Sequence, residues 1–134
     1  MKRIALAVIL AAALSGCSLS AMVALVKPSP SPTPTTPRLE QVALACGVGP
    51  RIQDKGGSLS LDTQGKLDTT GDDLTVVVCV LSKTGAPSFV TDHIDSTRAL
   101  DGTQSDEWDG YRARWTYHPD AGLRITFIDT RIAS

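Results

Sequence analysis

From Trp108 to Phe127 the chain alternates in a way that only a sheet with two different faces can use. Tyr111, Ala113, Trp115 and Tyr117 fall on one side of an extended segment, and Arg112, Arg114 and Thr116 fall on the other. Leu123, Ile125 and Phe127 repeat the pattern, opposed by Arg124 and Thr126. Asp109-Gly110 is a strong signal for a two-residue hairpin, because both positions tolerate the left-handed backbone that such turns require. His118-Pro119-Asp120-Ala121-Gly122 reads as a longer turn. The spacing therefore predicts strands over Thr103–Trp108, Tyr111–Tyr117 and Leu123–Ile128, joined as an antiparallel meander. One face is aromatic and must be covered by something; the other carries arginine.

The cover comes from upstream. Arg38 to Gly47 reads as a short helix that follows Pro37 and stops at Gly47, with Leu39, Val42 and Cys46 at helical spacing and Ala43 beside them. Ser58–Asp62 alternates after Gly56-Gly57 and reads as a strand, and Gln64–Gly71 is a polar loop. Leu74–Leu81 is open to two readings. Its β-branched density argues strand. The spacing of Leu74, Val77, Val78 and Leu81, with Asp72-Asp73 in front and Lys83 and Gly85 behind, argues helix, and length and end signals favour the helix. Pro87–Ile94 reads as its partner helix, with Phe89, Val90, His93 and Ile94 on one face. The expected class is α+β: a small antiparallel β-meander with two or three short helices packed on one face.

The N-terminus is of another kind. Lys2 and Arg3 precede an unbroken apolar run of eleven residues, Ile4–Leu14, which is signal-peptide length. The run ends in Leu14-Ser15-Gly16-Cys17, which resembles the lipobox of bacterial lipoproteins. That resemblance implies a signal peptide over 1–16, cleavage before Cys17 and a diacylglycerol on its sulfur. The bilayer is then a partner through Cys17. Residues 17–26 form an apolar stretch, because Ala21–Val26 turns greasy again where lipoproteins usually turn polar. Without cleavage, Ile4–Val26 is 23 residues long, enough to span a membrane, with Lys2 and Arg3 held in the cytoplasm. Either reading tethers the remainder at the extracytoplasmic face of the cell membrane. Residues 27–37 hold five of the eight prolines among serine and threonine. Such a linker favours polyproline II and reaches about 34 Å, and it also resembles O-glycosylated stalks. An extracytoplasmic α+β domain over 38–134 is left, 97 residues, enough for one small core.

With Cys17 acylated, the three cysteines reduce to one pair, Cys46 and Cys79, in an oxidising compartment, and a disulfide is expected. Zinc is the rival, but no Cys-x-x-Cys spacing exists and only His93 and His118 are at hand, so no metal or cofactor is expected. All 14 acids and 10 of the 13 basic residues lie in 38–134, which gives the domain a charge of about −4. That excludes nucleic acid as the main partner, since phosphate backbones need a cationic footprint.

Several constellations invite a chemical reading. His118-Pro119-Asp120 spells the J-domain tripeptide, but it lies in a predicted hairpin and reads as turn chemistry. Asp101, Asp106, Glu107 and Asp109 surround Trp108 without the spacing of a catalytic dyad, and read as turn acids around a core tryptophan. Asp62, Asp68, Asp72 and Asp73 do not match an EF-hand frame. His93 reads as a half-buried packing residue; a hydrolase would need it, or His118, within hydrogen-bond reach of a carboxylate in a cleft. Arg112, Arg114 and Arg124 are the best candidates for a binding face, because guanidinium forks suit carboxylate and phosphate. The same residues also read as a solvated face paired with Asp106 or Glu107.

The domain further resembles small uncharacterised actinobacterial lipoproteins and secreted proteins over Cys46–Phe127. The matching residues are Thr97-Arg98-Ala99-Leu100-Asp101-Gly102-Thr103-Gln104, Trp108, Trp115–Asp120 and Gly122-Leu123. No activity comes with that resemblance. The expectation is a non-catalytic binding or envelope-accessory module that meets cell-wall polymer or a membrane protein. The alternative is a superinfection-exclusion lipoprotein of phage or prophage type.

Overall fold

The computed structural model describes Thr36 and residues 38–132. The signal peptide, Cys17, the apolar stretch 17–26 and all of the proline linker but Thr36 lie outside the described residues. Among the described residues no helix is long and apolar enough to cross a membrane.

The fold is α+β. Three helices, α1 (Arg38–Ala45), α2 (Leu74–Lys83) and α3 (Ser88–Ser96), accompany five strands: β1 (Ile52–Gln53), β2 (Ser58–Asp62), β3 (Gln104–Trp108), β4 (Tyr111–His118) and β5 (Gly122–Asp129). The strands form one antiparallel sheet in the order β1-β2-β5-β4-β3. The expected meander is its C-terminal part, β3-β4-β5, and the hairpin turns at Asp109-Gly110 with both residues at positive φ (37° and 75°). The earlier strand is not separate from it: β2 pairs with β5 from Ser58↔Ile128 to Asp62↔Arg124. Gly122, also at positive φ, lets the β4–β5 turn run against the loop after β2, since a Cβ there would lie 2.2 Å from the Thr63 carbonyl oxygen.

The covered face holds Leu59 and Leu61 of β2, Trp108 of β3, Tyr111, Ala113 and Trp115 of β4, and Leu123, Ile125 and Phe127 of β5, all buried. Leu39 and Ala43 of α1, Val77, Val80 and Leu81 of α2, and Val90 and Ile94 of α3 close over them. Two indoles pin sheet to helices. Trp108 Nε1 donates to the Thr84 carbonyl at the C-terminus of α2 (3.1 Å), and Trp115 Nε1 donates to Thr97 Oγ1 at the C-terminus of α3 (2.9 Å). A buried indole N–H needs a partner, and each helix end supplies one. Cys46 and Cys79 form a disulfide, with Cα atoms 5.9 Å apart, that joins the end of α1 to α2.

Two helical faces differ from expectation. On α2 the inward residues are Val77, Val80 and Leu81, while Leu74 and Val78 point outward. Apolar residues surround this helix, so periodicity does not choose a face; the covalent tie of Cys79 to α1 does. On α3, Val90 and Ile94 are inward but Phe89 is exposed.

Candidate functional site

On the other face of the sheet the strand register brings the three predicted arginines together. Arg112 lies opposite Glu107 and Ile128, Arg114 opposite Ser105 and Thr126, and Thr116 opposite Arg124, which in turn faces Asp62. All three arginines are exposed, and no α-helix among the described residues packs on this side. Two residues along a strand is about 7 Å, and one strand across plus two residues along is about 8 Å, so Arg114 is within one ligand's reach of both neighbours.

The three guanidiniums differ in their commitments. Arg112 donates to Glu107 Oε1 at 2.6 Å, and Arg124 donates to Asp62 Oδ2 at 3.2 Å. Both pairs are exposed, and such pairs are worth about 0–1 kcal/mol. Arg114 has no carboxylate partner among the described residues. The expected pairing with the strand acids is thus half right. Glu107 serves Arg112, but Asp106 lies on the inner side of β3, opposite Ala113, and faces α3.

Around Arg114 the sheet surface dips into an open depression of about 330 Å³, lined by Arg114 and Arg124 with Thr103, Thr116 and Thr126, and by Trp115 at its floor. The Thr126 hydroxyl is hydrogen-bonded to Ser60 Oγ at 3.0 Å; those of Thr103 and Thr116 have no partner among the described residues. The depression continues toward β1 and β2 into a second, of about 470 Å³, lined in part by Ser58, Ser60, Thr126 and Ile128. The face also carries the carboxylates of Glu107, Asp62 and Asp54, and at its far end His118 and the half-exposed Tyr117 line a third depression of about 320 Å³ together with Thr116 and Arg124. The threonines were missed as site residues in the sequence, although the alternation that points the arginines outward points Thr116 and Thr126 outward with them.

A second basic cluster lies where α1 begins. Arg38 sits 4.6 Å from the Tyr111 ring centroid and Arg131 5.5 Å. Their charges are already matched: Arg38 pairs with Asp109 at 3.6 Å, and Arg131 with the buried Asp129 at 3.6 Å. Burial pushes the Tyr111 hydroxyl above its ordinary pKa of 10.0. This cluster fastens the start of α1, the hairpin and the C-terminal turn together.

His93 is more than a packing residue. Its ring stands edge-on to Trp115 with centroids 5.0 Å apart, as expected of packing, but Nδ1 is also 2.9 Å from Asp106 Oδ2. Half of the hydrolase requirement is therefore met. No hydroxyl or thiol among the described residues hydrogen-bonds the ring. The pair ties α3 to the edge strand. His118 Nδ1 accepts from the Asp120 amide at 3.2 Å, which is turn chemistry. Among the described residues no group of three or more His, Cys, Asp or Glu converges on a point where a metal would sit.

Comparison with family models, with characterised proteins and with solved structures gave no match to this chain. The candidate site therefore rests on its own geometry.

Proposed function

We propose that this chain is a membrane-anchored extracytoplasmic lipoprotein that acts by binding, as an accessory module of the cell envelope, through the open arginine–threonine face of its sheet. The observation that carries the reading is the contrast within that sheet. One face is closed by helices and its polar groups are matched, while the other is left bare with an uncommitted guanidinium. The anchor is supported by the lipobox-like Leu14-Ser15-Gly16-Cys17 behind its basic, apolar leader. The linker 27–37 gives the domain reach from the bilayer. The disulfide agrees with an oxidising compartment.

Two experiments test the proposal. Intact mass of membrane-extracted protein should start at Cys17 with a diacylglycerol and gain two hydrogens on reduction; a mass that starts at Met1 without lipid contradicts the lipid anchor. Detergent-solubilised protein should be retained by envelope fragments, and a variant with Arg112, Arg114 and Arg124 all changed to Gln should be released. Equal retention of both would contradict the binding face.

A further inference from the structure

The open face can be read one step further, to the chemistry of its ligand, and this step rests on the binding-face reading above. We infer that the far end of the face, around Tyr117 and His118, binds a sugar ring of an uncharged glycan.

The alternation of β4 puts Tyr117 on the side of Tyr111, Ala113 and Trp115, but only those three are closed over. Tyr117 stays 39% exposed at the end of the covered side, and its ring walls a depression of about 320 Å³ beside the β4–β5 turn. That volume is at the small end of the range for ligand sites. A pyranose has apolar C–H faces and a rim of hydroxyls. It therefore needs a flat apolar surface with hydrogen-bonding groups around its edge.

The rest of the lining supplies that edge. His118 Nδ1 accepts from the Asp120 amide, so in the neutral ring the proton lies on Nε2, which has no partner among the described residues. Thr116 brings a hydroxyl, Arg124 a guanidinium and Asp62 a carboxylate. Asp62 Oδ2 accepts from Arg124, which leaves Oδ1 to accept from the ligand. Donors and acceptors thus stand side by side, as neighbouring sugar hydroxyls that both donate and accept require.

Charge chooses among ring-built ligands. The charges of Asp62 and Arg124 answer each other at 3.2 Å, and Arg114 does not line this depression. The lining is therefore close to neutral, within a domain of about −4 that repels polyanions. Uronate polymers are disfavoured on that ground. Nucleobases also stack on aromatic rings, but each arrives with a phosphate. An uncharged sugar leaves the Arg124–Asp62 pair in place and bonds to the atoms that the pair does not use.

The test uses the full lipidated chain in micelles of a sugar-free detergent, titrated calorimetrically with mannan, galactan and dextran, and with polygalacturonate as the acidic comparator. At least one neutral polymer should bind more tightly than polygalacturonate, with an affinity that does not fall as salt rises. Tyr117→Ala should lose about ten-fold or more, whereas Tyr117→Phe, which keeps the ring, should stay within about three-fold of wild type. His118→Ala and Asp62→Asn should each lose several-fold. Asp95→Asn, which removes the same charge from α3, should bind as wild type does. His118 and Asp62 are solvent-accessible, so their variants should melt with the wild type and keep the test valid if Tyr117→Ala is less stable. Polygalacturonate binding as well as the best neutral polymer, or neutral binding untouched by Tyr117→Ala, His118→Ala and Asp62→Asn, would overturn the inference. If envelope fragments retain the wild type and release the triple arginine variant, while no neutral polymer binds, this inference fails and the binding-face reading stands. If the triple variant is retained equally, both fail.

Discussion

The two faces of the sheet are made from alternate residues of the same strands, and they are finished to different degrees. On β4, Tyr111, Ala113 and Trp115 are enclosed, while Arg112, Arg114 and Thr116 between them meet solvent. Inside, each indole N–H finds a threonine at a helix end, and no side-chain polar atom that the described residues bury lacks a partner. Outside, the pairs are exposed and one guanidinium has none. Stability is thus carried by one side of a layer one residue thick and the proposed recognition by the other, so the outer residues are free to vary without disturbing the core. Substitutions along a single strand should separate the two.

The largest separation is expected on β5. Phe127→Ala should cost about 3–5 kcal/mol, because it empties a fully buried ring site, whereas Arg124→Ala on the same strand should stay within about 0.5 kcal/mol. Denaturant melts of the two variants measure the contrast; similar midpoints would mean that the two faces are not distinct. The Cys46–Cys79 bridge comes next. It closes a loop with a sequence separation of 33, and the double change Cys46→Ala with Cys79→Ala should cost roughly 3.5–4 kcal/mol at the upper end of the chain-entropy expectation. Comparing melts with and without reductant gives the same quantity in the unmodified chain.

Thr97→Val is a finer probe. It keeps the shape but removes the acceptor of the Trp115 indole, and should cost about 1–3 kcal/mol with a change in tryptophan fluorescence. The smallest expected effect is at Asp73, which caps α2 by accepting from the Thr75 amide at 2.8 Å. That hydrogen bond holds its carboxyl below the ordinary 3.8. A depressed carboxyl contributes stability that is fully present above the unfolded value and lost as pH falls through the folded one. Asp73→Ala should therefore be slightly less stable than wild type at neutral pH, and the two should converge as pH drops below about 4. A gap that widens in acid would contradict the cap.

How far the sequence could be read follows the same division. The meander was legible because a period of two, broken by Asp109-Gly110, has few other solutions. The strands only run slightly longer or shorter than expected, with β4 reaching His118 and β5 reaching Asp129. The pairing of β2 with β5 was not legible, because nothing local links Ser58–Asp62 to residues more than sixty positions away. β1, two residues long, is too short to show any period. The rotation of α2 was hidden by valines on all sides. The His93–Asp106 pair was within reach: the alternation that turns Trp108 inward turns Asp106 inward too, toward α3. Of the candidate site, the arginines were legible from alternation alone. Which of them is unpaired was not, since that depends on the long-range contact of Asp62 with Arg124.

Amide NMR of the full chain in micelles, titrated with solubilised envelope fragments, tests most directly whether the proposed binding belongs to the open face. Shifts should concentrate at Arg112, Arg114, Thr116, Arg124 and Thr126 and leave the helices unmoved. Shifts centred on Leu74, Val78 or Phe89 of the helical layer, or none in the sheet, would contradict the assignment of binding to the arginine–threonine face.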